Sequence, residues 1–135
     1  MNATSPPVLL LVEDEALILH DMEEALKEAG FKTIALSGGS EALKEIENDC
    51  SRFSAMATDV DLGNGPSGWE VARRARELCP TIAVVYMSGG SAQHWLARGV
   101  PKSVMLQKPF APAQLVTAIA TLLNEAVHDA IGLTS

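Results

Sequence analysis

Short apolar runs alternate along this chain with stretches whose apolar residues recur every three or four positions. The runs are Val8-Leu9-Leu10-Leu11-Val12, residues 32–36, Ser54-Ala55-Met56-Ala57-Thr58, Ile82-Ala83-Val84-Val85-Tyr86-Met87 and Ser103-Val104-Met105-Leu106-Gln107. Runs of this length read as buried parallel strands. Between them the period turns helical. Leu17, Leu19, Met22, Ala25, Leu26 and Ala29 predict a helix over 15–29, ended by Gly30 as a C-terminal glycine cap. Ser37-Gly38-Gly39 reads as a turn. Ser40 is the expected N-cap of a helix over 41–48 that turns Ala42, Leu43 and Ile46 inward. Ser67 caps a third helix over 68–78, with Trp69, Ala72, Ala75 and Leu78 on one face and Pro80 as its stop. A short fourth helix covers 91–98. Pro112 suits the first turn of a fifth, which runs to about residue 127.

Strand followed by helix, five times over, predicts an α/β fold: a flavodoxin-like, doubly wound, five-stranded parallel sheet of order 2-1-3-4-5, with five helices. One domain is expected over 8–127, after a flexible lead of residues 1–7 and before a tail of 128–135 without strong pattern.

In such a sheet the ligand site lies outside the carboxyl ends of the strands. Polar residues stand at those ends: Glu13 and Asp14 after the first run, Asp59 after the third, Ser88 after the fourth and Lys108 after the fifth. Residues scattered over much of the chain should therefore meet. Three carboxylates, a hydroxyl and an ammonium suit a divalent cation and a phosphoryl group.

Bulk properties narrow the partners. The chain has 135 residues, is 47% hydrophobic and carries a net charge of -7, with no basic stripe, which argues against nucleic acid. Its apolar runs are too short for a membrane span, and its first residues lack a secretory signal, so a cytoplasmic protein is expected. Cys50 and Cys79 are spaced neither as a metal pair nor as a redox motif, and read as reduced thiols.

Four segments, in this order and spacing, resemble the receiver domains of bacterial two-component response regulators: Leu10-Leu11-Val12-Glu13-Asp14-Glu15, Thr58-Asp59-Val60-Asp61-Leu62, Tyr86-Met87-Ser88-Gly89-Gly90 and Gln107-Lys108-Pro109-Phe110. The resemblance spans about residues 8–127. It implies that Asp59 is the phosphoacceptor, and that Glu13 and Asp14 hold Mg2+ (or Mn2+) with Asp59 and the backbone carbonyl of Asp61. Glu13, one methylene longer than the usual aspartate, would bind through water. Ser88 would hydrogen-bond the phosphoryl group. Lys108 would pair first with Asp59 and then with phosphoryl oxygens, and the bond before Pro109 is often cis in this family. The implied partner is a sensor histidine kinase or a histidine phosphotransfer protein. A phosphoacceptor of this kind assists its own phosphorylation and dephosphorylation and turns over no separate substrate. The chain ends soon after the fifth helix, so a stand-alone receiver with output through protein contact is expected, its target unspecified.

Met105 stands where the family usually has an aromatic switch residue. Repacking of Met105, with a shift of the loop after Ser88 and of helix four, is the expected substitute. Asp61 reads either as a solvent-facing loop carboxylate or as a group that tunes water attack on the acyl phosphate, and Gly90 offers no side-chain shield against that attack. On helix five, Leu115, Ile119, Leu122 and Ala126 form one apolar stripe, and Val116, Ala120, Leu123 and Val127 a second, ~100° around. The second stripe reads either as the mark of a deeply seated helix or as a partner or homodimer surface on helix 4, strand 5 and helix 5, to which Trp95 belongs unless it packs in the core. His20, His94 and His128 have no evident link to the site.

Two other functions use parts of this pattern. Asp59-Val60-Asp61 matches the Asp-x-Asp of haloacid-dehalogenase-like phosphatases, but there the motif follows the first strand and the acidic pair comes later. A flavin-binding module would need a hydroxyl- and glycine-rich phosphate loop where Glu13-Asp14-Glu15 stands.

Overall fold

The computed structural model describes residues 6–130, with side chains through 127. Most of the expected lead, the end of the tail and the side chain of His128 lie outside the described residues. The strands are β1 (Val8–Val12), β2 (Lys32–Leu36), β3 (Ala55–Asp59), β4 (Ala83–Ser88) and β5 (Ser103–Gln107). They form one parallel sheet of order β2-β1-β3-β4-β5, as the alternation predicts. The helices are α1 (Ala16–Glu28), α2 (Gly39–Asp49), α3 (Gly68–Leu78), α4 (Trp95–Arg98) and α5 (Pro112–Ala130). Helix α5 thus extends into the expected tail. Where one helix was expected over 91–98, a 3-10 turn at Ala92–His94 leads into α4.

Two cores sit on the two faces of the sheet. One joins Leu10, Val12, Met56, Val84 and Tyr86 to Ile46 of α2 and Trp69, Ala72 and Ala75 of α3. The other joins Leu9, Leu11, Ala57, Val85 and Met87 to Met22 and Leu26 of α1 and Leu115, Ile119 and Leu122 of α5. Alternate residues of β1, β3 and β4 serve opposite faces, so these strands are apolar up to their C-terminal ends and almost wholly buried. Central burial on this scale holds the strand ends, and the residues they carry, in register.

Helix ends obey local chemistry. Gly30 takes φ 96°, and the Phe31 amide returns to the Leu26 carbonyl, so Gly30 closes α1. Ser67 and Glu70 cap α3 reciprocally: Ser67 Oγ accepts from the Glu70 amide and Glu70 Oε1 from the Ser67 amide. Ser40 is not a cap. Helix α2 begins two residues earlier, at Gly39 with Gly38 at the N-cap, and Gly39 packs so closely on the Pro66 carbonyl that no side chain fits there. Two helical positions also face outward: Leu17 is 81% exposed, and Leu78, the last residue of α3, is exposed as well.

Candidate functional site

Each of the sheet's three inner strands, and β5 beside them, ends in or leads directly into a polar residue. Strand β1 delivers Glu13 and Asp14, β3 delivers Asp59, β4 delivers Ser88 and β5 delivers Lys108. The parallel register sets Asp59 beside Met87 and Ser88 beside Gln107, so all these ends lie at one edge. One carboxylate oxygen from each of Glu13, Asp14 and Asp59 lies within 4.8 Å of the others. Hard oxygen donors grouped in this way fit a hard divalent cation. Asp14 is exposed and open to solvent, whereas Glu13 and Asp59 are buried.

Lys108 is the counter-charge. Its Nζ donates to Glu13 Oε1 at 2.8 Å and to Asp59 Oδ2 at 3.1 Å, and reaches Glu15 Oε1 at 3.9 Å. The shorter bond therefore goes to Glu13. The other Glu13 oxygen accepts from the Glu15 amide at 3.1 Å. Both Glu13 oxygens are thus engaged, as are both of Asp59, whose Oδ1 accepts from the Asp61 amide, which leaves the exposed Asp14 the freest donor of the three. Burial pushes Glu13 up to about 7, against the hydrogen bond and charge of Lys108. Burial also raises Asp59, with Lys108 and the Asp61 amide pulling it back. Burial acts to lower Lys108, but its bonds to Glu13 and Asp59 outweigh this and hold its ammonium above the ordinary range.

The loops are fixed by close packing. Gly68, the first residue of α3, lies against the backbone of Asp59, and a Cβ there would overlap the Asp59 carbonyl. Its amide bonds the Val60 carbonyl at 2.8 Å. The Val60 amide in turn bonds the Met87 carbonyl at 2.9 Å, tying the Asp59 loop to β4. The Asp61 amide donates to Asp59 Oδ1 at 3.2 Å. The Lys108 amide donates to the Ser88 carbonyl at 2.9 Å, and the Lys108–Pro109 peptide is cis.

Ser88 is fully buried, and its Oγ accepts from the Ser91 amide at 2.8 Å. Ser91 Oγ donates to the Asp61 carboxylate at 3.2 Å and 3.4 Å. Ser91 escaped notice in the sequence because a serine after two glycines is ordinary turn chemistry. Its spacing of three from Ser88 is the signal that could have found it.

Met105 is half-buried and pairs with Tyr86 of β4. Tyr86 is fully buried, its ring centre is 4.7 Å from that of Trp69, and its hydroxyl accepts from the Val100 amide at 3.0 Å. Trp95 packs partly on the same core, with Nε1 donating to Ser103 Oγ at 2.9 Å. Val116 and Leu123 pack partly on the opposite core. Apolar surface here comes instead from Val127, 56% exposed, and Leu96, 92% exposed.

Fold and site together define a class: a doubly wound α/β domain with an acidic, lysine-bridged cluster at the carboxyl ends of its strands. The chain belongs to the response regulator receiver domain family, whose model matches residues 9–120. A response regulator receiver protein from Sinorhizobium medicae WSM419 superposes with a TM-score of 0.87 at 40% identity, over 92% of this chain and 99% of that one. The response regulator receiver protein CpdR of Brucella abortus (strain 2308) is 28% identical over 117 residues, 85% of this chain and 95% of CpdR. Sensor kinase CckA of the same organism is 30% identical over 122 residues, 87% of this chain but only 12% of the kinase. The chain is a receiver domain of two-component phosphorelay signalling. The phosphatase alternative finds no support: the acidic pair precedes the acceptor strand, and the Asp61 carboxylate is bonded to Ser91 at the rim. No helix among the described residues is long and apolar enough to cross a membrane.

Proposed function

We propose that Asp59 accepts a phosphoryl group from a phosphohistidine of a sensor histidine kinase or histidine phosphotransfer protein. The observation that carries this reading is the buried Asp59 carboxylate, bridged by Lys108 to Glu13 and grouped with Asp14. An Asp59 oxygen attacks the phosphorus, the P–N bond breaks, and its electron pair returns to the imidazole. Asp14, Asp59 and the backbone carbonyl of Asp61 would hold Mg2+ (or Mn2+), with Glu13 contributing through water. The cation's part is to offset the charge of the carboxylates and the incoming phosphoryl oxygens. Lys108 is a compact cation that can move from Asp59 to a phosphoryl oxygen without losing Glu13. Ser88 supplies a hydroxyl to the phosphoryl group. The domain assists gain and loss of its own phosphoryl group and turns over no separate substrate.

Output follows through changed protein contacts on α4, β5 and α5, with Met105 repacking beside Tyr86. Val127 and Leu96 are the exposed apolar residues of that surface, and a homodimer is one use of it. The test is intact-mass spectrometry after incubation with acetyl phosphate, with magnesium or with chelator. Wild type should gain one magnesium-dependent phosphoryl adduct and Asp59→Asn none. An adduct on Asp59→Asn, or a folded wild type that hydrolyses the donor without one, would sink the assignment.

A further inference from the structure

A closed chain of contacts surrounds the acceptor. The Asp61 amide donates to Asp59, Ser91 Oγ donates to the Asp61 carboxylate, and the Ser91 amide donates to Ser88 Oγ. The Lys108 amide bonds the Ser88 carbonyl, and Lys108 Nζ returns to Asp59. Four of these links involve a backbone amide or the lysine. The fifth, from the Ser91 hydroxyl to Asp61, joins the loop after β3 to the loop after β4 by side chains alone.

We propose that Ser91 is a positioning residue: a latch that, tied to Asp61, holds the Ser88 hydroxyl in its resting direction and so restrains phosphoryl capture at Asp59. The inference rests on Asp59 being the phosphoacceptor. In the resting arrangement Ser88 Oγ accepts from the Ser91 amide. To reach a phosphoryl group it must turn from the amide toward the acceptor. The Ser91 amide is placed by the Ser91 hydroxyl's bond to a carboxylate on the opposite loop, together with the bond from the His94 amide to the Ser91 carbonyl. A bond made in the resting arrangement and given up in the phosphorylated one lowers affinity for the phosphoryl group. Asp61 has a second effect in the same direction, since its latched carboxylate puts negative charge at the rim an anionic donor must cross.

The test is titration with beryllofluoride, a phosphoryl mimic, in magnesium, read by the fluorescence of Trp69 and Trp95. Acetyl phosphate labelling rates by intact mass are measured alongside. A charge-assisted bond at the surface corresponds to a change of about fivefold. Ser91→Ala should therefore tighten beryllofluoride about fivefold and speed labelling. Ser91→Thr, which keeps the hydroxyl, should restore the wild-type affinity. In the Asp61→Ala background, Ser91→Ala should add nothing, because its partner is gone. A merely structural serine predicts unchanged or weaker binding, so a gain separates the two roles. Wild type that binds beryllofluoride while Ser91→Ala is unchanged or weaker overturns the latch alone. Wild type that neither binds beryllofluoride nor is labelled overturns the acceptor assignment, and the latch with it.

Discussion

Replacing Lys108 by methionine removes the ammonium that joins Glu13 to Asp59 and keeps most of the stem that packs beside them. In the metal-free wild type, burial raises Glu13 from its ordinary 4.5 to about 7. A raised folded-state value means that Glu13 favours folding fully below 4.5, and that this contribution is lost as pH rises through about 7. At about 1.4 kcal/mol per pH unit, the loss amounts to about 3 kcal/mol. Above pH 7 the wild-type Glu13 is ionised both folded and unfolded, so its slope vanishes. In Lys108→Met both pulls of the lysine on Glu13 are gone, and its proton is held to higher pH. The folded variant then binds one more proton than the unfolded chain. Its stability should keep falling, by about 1.4 kcal/mol per pH unit relative to wild type, until Glu13 ionises. Urea unfolding in chelator, followed by tryptophan fluorescence from about pH 5 to about pH 9, measures the gap. Parallel curves above pH 7 would mean that Lys108 does not set the proton affinity of Glu13.

Asp14→Asn should weaken magnesium binding at least about tenfold by calorimetry while leaving metal-free stability level or higher, because it removes one of three clustered carboxylates. Gly68→Ala should cost about 2–3 kcal/mol in urea unfolding and slow phosphoryl labelling, since the new methyl displaces the Asp59 carbonyl. Ser67→Ala, which removes half of the α3 capping box, should cost about 1 kcal/mol without touching the labelling rate. Val127→Asp should leave thermal stability unchanged and abolish any self-association seen by sedimentation.

The strands were legible because their burial is so complete. Val8–Val12 and Ala83–Ser88 sit between two helical layers, so both faces demand apolar side chains and the runs are continuous. The strand-end polar residues were legible for the same reason: they break those runs. Errors fell where backbone packing decides. Ser40 is a good cap by composition, but Gly38 holds the position because Gly39 must approach the Pro66 carbonyl. Leu17 fits a helical stripe yet stands in solvent, since periodicity does not tell which turns of a helix outrun the sheet. The preference of Lys108 for Glu13, and the bond from Ser91 to Asp61, depend on side-chain reach between loops 95 and 30 residues apart in the chain, which no local pattern encodes.

The strand order sets a timetable for synthesis. Glu13 and Asp14 emerge first and Asp59 follows, whereas the lysine that offsets them arrives on the last strand, 95 residues after Glu13. Strand β5 pairs only with β4, at the edge of the sheet. A nascent chain that paired β1, β3 and β4 before β5 emerged would bring the acidic cluster together without its counter-ion. Until β5 docks, protons or free divalent cations would have to offset that charge in place of Lys108, so their supply would bear on how early this domain can close.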